Sequence, residues 1–189
     1  MEEIGPLIRD DQILTPGAAA LPLSFYRQWV RSKCTLAWVF PTPFMSVHRG
    51  FLAICPEDKS DPKRITELKD YWSGFCEEII IINRSAMDTF VLLHAAGQTF
   101  FWPVIKAYID FGSSNGFSRD QASAITLSTL ESTAKWLRNR GVDSLNLQEL
   151  MDEFSVSNSL TKAGLAVLKK GSVEFLYGNA MNAGLEQAR

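Results

Sequence analysis

The chain is short of almost everything that usually announces a function. Its three cysteines, Cys34, Cys55 and Cys76, stand singly with no C-x-x-C pair. That spacing offers neither a zinc-thiolate site nor a redox motif, and it suits reduced thiols in the cytoplasm. No H-E-x-x-H, G-x-S-x-G, P-loop or EF-hand pattern occurs, and no G-x-G-x-x-G turn. The acidic pairs Glu77-Glu78 and Asp152-Glu153 are neighbours in sequence, which does not make them converging carboxylates. A net charge of −2 supplies no basic field for nucleic acid or acidic lipid. Met1-Glu2-Glu3 leads into no apolar core of a secretory signal. The one long apolar stretch, 89–105, is interrupted by His94, Gln98 and Pro103 and bounded by Asp88 and Lys106. It falls short of the roughly 20 apolar residues a bilayer requires. It reads instead as a helix covered by protein on several sides, as in an interlocked dimer.

What is present is a core and a change of periodicity. Hydrophobic residues make up 46% of the chain and charged residues 21%, the balance of a packed, soluble domain. Up to Arg84 short strand-like and helix-like runs alternate. Strands are expected at Gln12–Thr15, Thr35–Phe40, Phe51–Cys55 and Ile79–Ile82, the last buried on both faces. Helices are expected at Leu23–Arg31 and from Pro62 to Phe75. Beyond Asn83 everything reads as helix. One runs from a cap at Ser85 to Phe111, and another starts at the capping box Ser118-Arg-Asp-Gln121 and ends near Arg138. Shorter ones cover Leu147–Glu153, Leu160–Lys169 and Ser172–Ala188. The pattern predicts a parallel-type α/β unit of about four strands over 1–84 and a helical domain over 85–189.

Four stretches, in this order, resemble the pyrroline-5-carboxylate reductase family. Asp11-Gln-Ile-Leu-Thr-Pro-Gly-Ala-Ala-Ala-Leu-Pro-Leu23 is similar to the family's strand followed by Ala-Ala-Gly-Ile-Ser. Val39-Phe-Pro-Thr-Pro43 resembles Met-Pro-Asn-Thr-Pro, and Gly116-Phe-Ser-Arg-Asp-Gln-Ala122 resembles Gly-Leu-Pro-Arg-x-x-Ala. Phe154-Ser-Val-Ser-Asn-Ser-Leu-Thr161-Lys-Ala-Gly-Leu165 lies over Val-Thr-Ser-Pro-Gly-Gly-Thr-Thr-Ile-Ala-Gly-Leu. The resemblance implies a fold: an α/β remnant of a Rossmann sheet with about four strands, followed by an all-α helical dimerisation domain. It implies that the chain starts after the family's fourth strand, leaving out the half that grips the pyrophosphate of NAD(P)H. A phosphate-holding turn supplies hydrogen bonds of about 1.5–3 kcal/mol each. Without two or three of them, cofactor binding would weaken by roughly a hundred-fold to ten-thousand-fold.

The resemblance also names site residues, each with a plainer reading beside it. Thr161 matches the family threonine placed to bond the substrate imine nitrogen, or it is a first-turn residue bonding to backbone. Asn158 and Ser159 stand where the family presents glycine backbone to the substrate carboxylate, or they cap the Leu160 helix. His94 and Gln98, four apart on one helix face, are either a proton donor and its hydrogen-bond partner beside substrate or two polar residues satisfied inside an interface. Ala18 and Ala19 with Thr42 and Pro43 outline half a nicotinamide site, or are strand-end turns. His48 and Arg49 face an anion or only solvent.

Departures from the family count as well. Pro41 replaces the asparagine that faces the cofactor, and of the helix opening Ser-Gly-Ser-Gly-Pro-Ala-Tyr only Gly97 survives in His94-Ala-Ala-Gly-Gln-Thr-Phe100. The expectation is therefore a homodimer through the C-terminal helices, acting as a non-catalytic or regulatory subunit, with NAD(P)H binding by this chain alone in doubt. The alternative is an NAD(P)H-dependent imine reductase of proline biosynthesis whose nucleotide-binding half comes from a separate polypeptide or a longer product. No metal, nucleic acid or membrane partner is expected.

Overall fold

The computed structural model describes residues 1–18, 21–47, 50–141 and 146–188. Four strands form one sheet in the order of the chain: β1 (Ile13–Leu14), β2 (Thr35–Val39), β3 (Gly50–Pro56) and β4 (Cys76–Ile81). Helices α1 (Leu23–Arg27) and α2 (Pro62–Ser73) lie between them. After β4 come α3 (Arg84–Phe90), a π-helical segment (Val91–Ala96) and α4 (Gly97–Ser114). Then follow α5 (Arg119–Asn139), α6 (Leu147–Glu153), α7 (Leu160–Lys170) and α8 (Val173–Gln187). By compactness the chain divides into a first unit, 1–97 with 183–189, and a second, 98–182.

In the first unit the sheet carries apolar side chains on both faces. Ala37 and Val39 of β2, with Leu52 and Ile54 of β3, meet Leu68 and Ile65 of α2 on one face. Trp38 and Cys55 meet Met87 of α3 on the other, with Leu23 and Phe90 alongside. Alternation along β2 and β3 therefore sends successive residues into two cores, as a sheet flanked by helices demands. Each fully buried Leu or Ile contributes roughly 1.5–3 kcal/mol of transfer free energy. At the edge of this unit Arg27 forks onto Glu57 at 2.5 and 3.3 Å and also bonds the Cys34 carbonyl at 3.0 Å. That ties the end of α1 to the strands.

Three expectations change. The sheet is mixed, because β2 and β3 pair antiparallel while β1–β2 and β3–β4 are parallel. Among its described residues the link from β2 to β3 holds only a 3-10 turn, Pro43–Val47, and a parallel return would need a longer crossover. Second, β4 is not buried on both faces. It closes the sheet, so Glu77 and Glu78 are exposed and Ile81 is 49% exposed. Third, the cap of α3 is Asn83, whose side chain accepts from the Ala86 N–H at 3.1 Å. Ser85 instead donates its hydroxyl to Asn83 Oδ1.

The second unit is stitched mainly at helix ends. Ser118 and Gln121 form the expected capping box on α5. Asn146 caps α6 through two backbone N–H groups, and Ser159 caps α7 through Lys162 N–H at 3.0 Å. Tyr177 Oη donates to the Phe100 carbonyl at 3.1 Å, linking α8 to α4. Asp110 pairs with Lys106 and with Arg119, and both partners hold its carboxyl below the usual range, the Lys106 bond most. No described helix is long and apolar enough to cross a membrane.

Candidate functional site

β1 and β2 run parallel, so the turns after them emerge at one end of the sheet. β3 runs the other way, and its first residues, Gly50 and Phe51, begin at that same end. Open α/β sheets hold ligands outside the carboxyl ends of parallel strands. Ala18 and Thr42 are the positions there. The Ala18 carbonyl accepts from Trp38 Nε1 at 3.0 Å, which fixes the turn after β1 against β2. Thr42 is buried, and its Oγ1 lies 3.4 Å from His94 Nε2. Pro43 opens the 3-10 turn, and its carbonyl accepts from the Ser46 hydroxyl at 2.7 Å.

His94 sits in the π segment between two rings, with Phe51 at 6.3 Å and Phe90 at 5.4 Å between centroids. Burial pushes its pKa below the ordinary histidine value, and a hydrogen bond to the Phe51 backbone opposes that in part. The imidazole is therefore neutral at pH 7, able to donate at one nitrogen and accept at the other. The π segment needs the glycine that follows it. A Cβ on Gly97 would stand 2.6 Å from the Leu92 carbonyl oxygen. π segments inside α-helices are frequent at functional sites.

Of the expected cofactor positions, Ala18, Thr42 and Pro43 thus have defined places, and Ala19 lies outside the described residues, as do His48 and Arg49. Thr42 and His94 were expected to belong to different ligands, and the fold brings them into contact. Phe51 and Phe90 also flank His94 and were missed. Phe90 carried a signal, being one helical turn before His94, whereas Phe51 of β3 carried none.

The remaining expected residues lie in the second unit. Gln98 follows the π segment on α4 and is half-buried. Asn158 has φ 59°, a left-handed backbone that glycine adopts freely and asparagine tolerates. Ser159 is the N-cap of α7, as the plainer reading held. Thr161 stands exposed in the first turn of α7. The loop 154–159 therefore takes a left-handed turn at Asn158, the position where the resembled family has a glycine.

A four-stranded mixed sheet flanked by helices and followed along the chain by a mostly helical region places the protein in the α/β class with a helical continuation. This chain belongs to the pyrroline-5-carboxylate reductase family: the model for pyrroline-5-carboxylate reductase dimerisation matches residues 84–189. Pyrroline-5-carboxylate reductase of Staphylococcus haemolyticus is 19% identical over 187 residues, covering 99% of this chain and 68% of that protein. A crystal structure of Plasmodium falciparum pyrroline carboxylate reductase with NADP bound superposes with TM-score 0.83 at 22% identity, over 93% of this chain and 69% of that one. The Streptococcus pyogenes 1-pyrroline-5-carboxylate reductase gives TM-score 0.86 at 19% identity, over 99% and 71%.

Proposed function

We propose that the chain is one half of a cytoplasmic homodimer joined through its helical unit, and that these residues serve a scaffolding or regulatory role without reducing a substrate themselves. The apolar surface of the helical unit carries the pairing. Phe101, Trp102, Tyr108, Phe111, Val167, Phe175 and Leu176 are each more than half exposed within one chain. Exposed aromatic and aliphatic side chains in this number mark an association surface. The dimerisation family model over the same helices supports a second copy as the partner.

The absence of reductase chemistry is supported by side chains, not by length. Where the resembled loop brings glycine backbone to a carboxylate, Asn158 and Ser159 place side chains, and the Ser159 hydroxyl is already held by Lys162 N–H. Pro41 offers no N–H and no amide where the resembled asparagine would meet a cofactor. Light scattering on a sizing column tests the pairing, with an expected mass of twice 21.1 kDa. A monomer at micromolar concentration would overturn it. Calorimetric titration with NADPH and NADH tests the rest, and micromolar binding of either would defeat the non-catalytic role.

A second reading has one observation in its favour. Thr161, the counterpart of the family's imine-bonding threonine, is retained and exposed at the start of α7. On that reading the protein reduces a cyclic imine with NAD(P)H once a nucleotide-binding unit joins it, from another chain or a longer product. Turnover of pyrroline-5-carboxylate by such a complex, lost in Thr161→Val, is the expected outcome.

A further inference from the structure

We infer that Asn115 is a self-modifying site: the backbone nitrogen of Gly116 displaces its side-chain amide, and the carboxylate left behind uncaps helix α4. This inference rests on the turn between α4 and α5 and on neither reading of the function.

Asn115 and Gly116 lie in that turn, and both are exposed. Of the chain's asparagines only Asn115 precedes a glycine. Gly116 has φ 103°, and a Cβ built on it would meet nothing within 4 Å, so the space beside its nitrogen is open. Among the described residues no group accepts the Gly116 N–H. The amides on either side of it, of Asn115 and Phe117, both donate to the Gly112 carbonyl, at 3.1 and 3.2 Å. The Asn115 side chain is held through Nδ2, which donates to the Phe111 carbonyl at 2.7 Å. That bond engages the nitrogen that leaves and not the carbon that is attacked.

The other asparagines are placed differently. Asn139, Asn179 and Asn182 lie in α5 and α8, where the next residue's N–H belongs to the helical ladder. Asn83 and Asn146 hold helix N–H groups with their side-chain oxygens. Asn158 stands exposed in a loop, but the N–H that follows it, of Ser159, donates to the Val156 carbonyl at 3.2 Å.

The step needs only water. A solvent base takes the Gly116 amide proton, and the freed electron pair attacks Asn115 Cγ. The new N–C bond closes a cyclic imide as the Cγ–Nδ2 bond breaks, and Nδ2 leaves as ammonia with a proton from solvent. Water then opens the ring. Addition at Cγ gives an ordinary aspartate, and addition at the Asn115 main-chain carbonyl gives an isoaspartate whose backbone runs through the former side chain. Either way an amide and a water become a carboxylate and an ammonium ion. Neither product has an N–H donor for the Phe111 carbonyl, and each puts negative charge at a helix C-terminus, where it is disfavoured. The isoaspartate also lengthens the chain between the two amides that share the Gly112 carbonyl. Gly112 is itself a tight point between α4 and α5, since a Cβ there would stand 2.9 Å from Ala122 Cβ.

The test ages the whole chain at mildly alkaline pH, folded and in urea, with Asn115→Gln alongside. Peptide mapping by mass spectrometry, with enzymatic methylation of isoaspartate, should find product in the folded chain at Asn115. It should form there about tenfold faster than at any other asparagine, the equivalent of ~1.4 kcal/mol in barrier. Asn115→Gln, whose longer side chain would have to close a larger ring, should stay unmodified at that position. The aged chain should lose its helical circular dichroism at lower urea than the fresh chain, and Asn115→Gln should show no such shift on ageing. An Asn115 that stays intact in the folded chain while the unfolded chain is converted would overturn the site, as would equal conversion at Asn158. Full conversion with an unchanged urea midpoint would overturn the uncapping.

Discussion

The two units of this chain are built from similar amounts of apolar residue and use it in opposite ways. In the α/β unit, Leu36, Trp38, Leu52, Ile54 and Met87 are at most 1% exposed. In the helical unit only Ala122 and Thr126 are buried among the described residues, and Phe111 is 71% exposed. The first unit therefore draws its stability from its own chain. The second has helices with well-made ends and almost no interior. Helices of this length owe most of their stability to a packed apolar face, so the second unit depends on whatever covers that face.

That contrast can be broken by mutation. Leu52→Ala removes side-chain volume from the centre of the sheet and should lower unfolding free energy by about 2–5 kcal/mol. Urea denaturation of the α/β signal should show this loss equally at low and high protein concentration. Phe175→Glu, on the exposed face of α8, should leave the single chain's fold intact and shift the dimer toward monomer, with affinity weakened about a hundred-fold or more. Light scattering across a dilution series reads it, and an unchanged mass would mean that α8 is not part of the covered face. Ser118→Ala breaks the capping box of α5 and should cost about 1 kcal/mol, measured by helical circular dichroism during melting.

The smallest effect should be one of pH, confined to the first unit. The folded pKa of His94 lies below its unfolded value of 6.5, so the unfolded chain takes up the proton first. The stability that depends on neutral His94 is then complete above pH 6.5 and is lost as pH falls from there toward the lower folded value. Denaturation at a series of pH values should show this slope, and His94→Gln should flatten it. A slope that survives the substitution would assign it to other groups.

How much could be read beforehand differs between the units in the same way. Local signals were reliable wherever the structure is locally determined. The Ser118–Gln121 capping box, the Leu147–Glu153 helix and the Ser159 cap all follow from a few adjacent residues. Signals that depend on neighbours failed. Ile79–Ile82 has the composition of a central strand, but β4 is an edge, and composition does not report strand order. The antiparallel turn from β2 to β3 was hidden because Pro41-Thr42-Pro43 ends a strand without saying which way the next one runs. Ser85 is a good capping residue that lost the position to Asn83, two places earlier.

Of the expected site residues, Thr42 and His94 meet in the fold, an arrangement the sequence does not reveal. Thr42 and His94 were both singled out, yet nothing in a chain where they are 52 positions apart indicates that they touch. The sequence by itself determined the capping box that starts α5, the helix over Leu147–Glu153 and which family the chain resembles, since these depend on spacing and side-chain type over a few positions. Only the tertiary structure decided strand direction, the π segment that turns His94 toward Thr42, and the apolar faces left uncovered. Those follow from which distant segments meet, a matter of packing that no local pattern encodes.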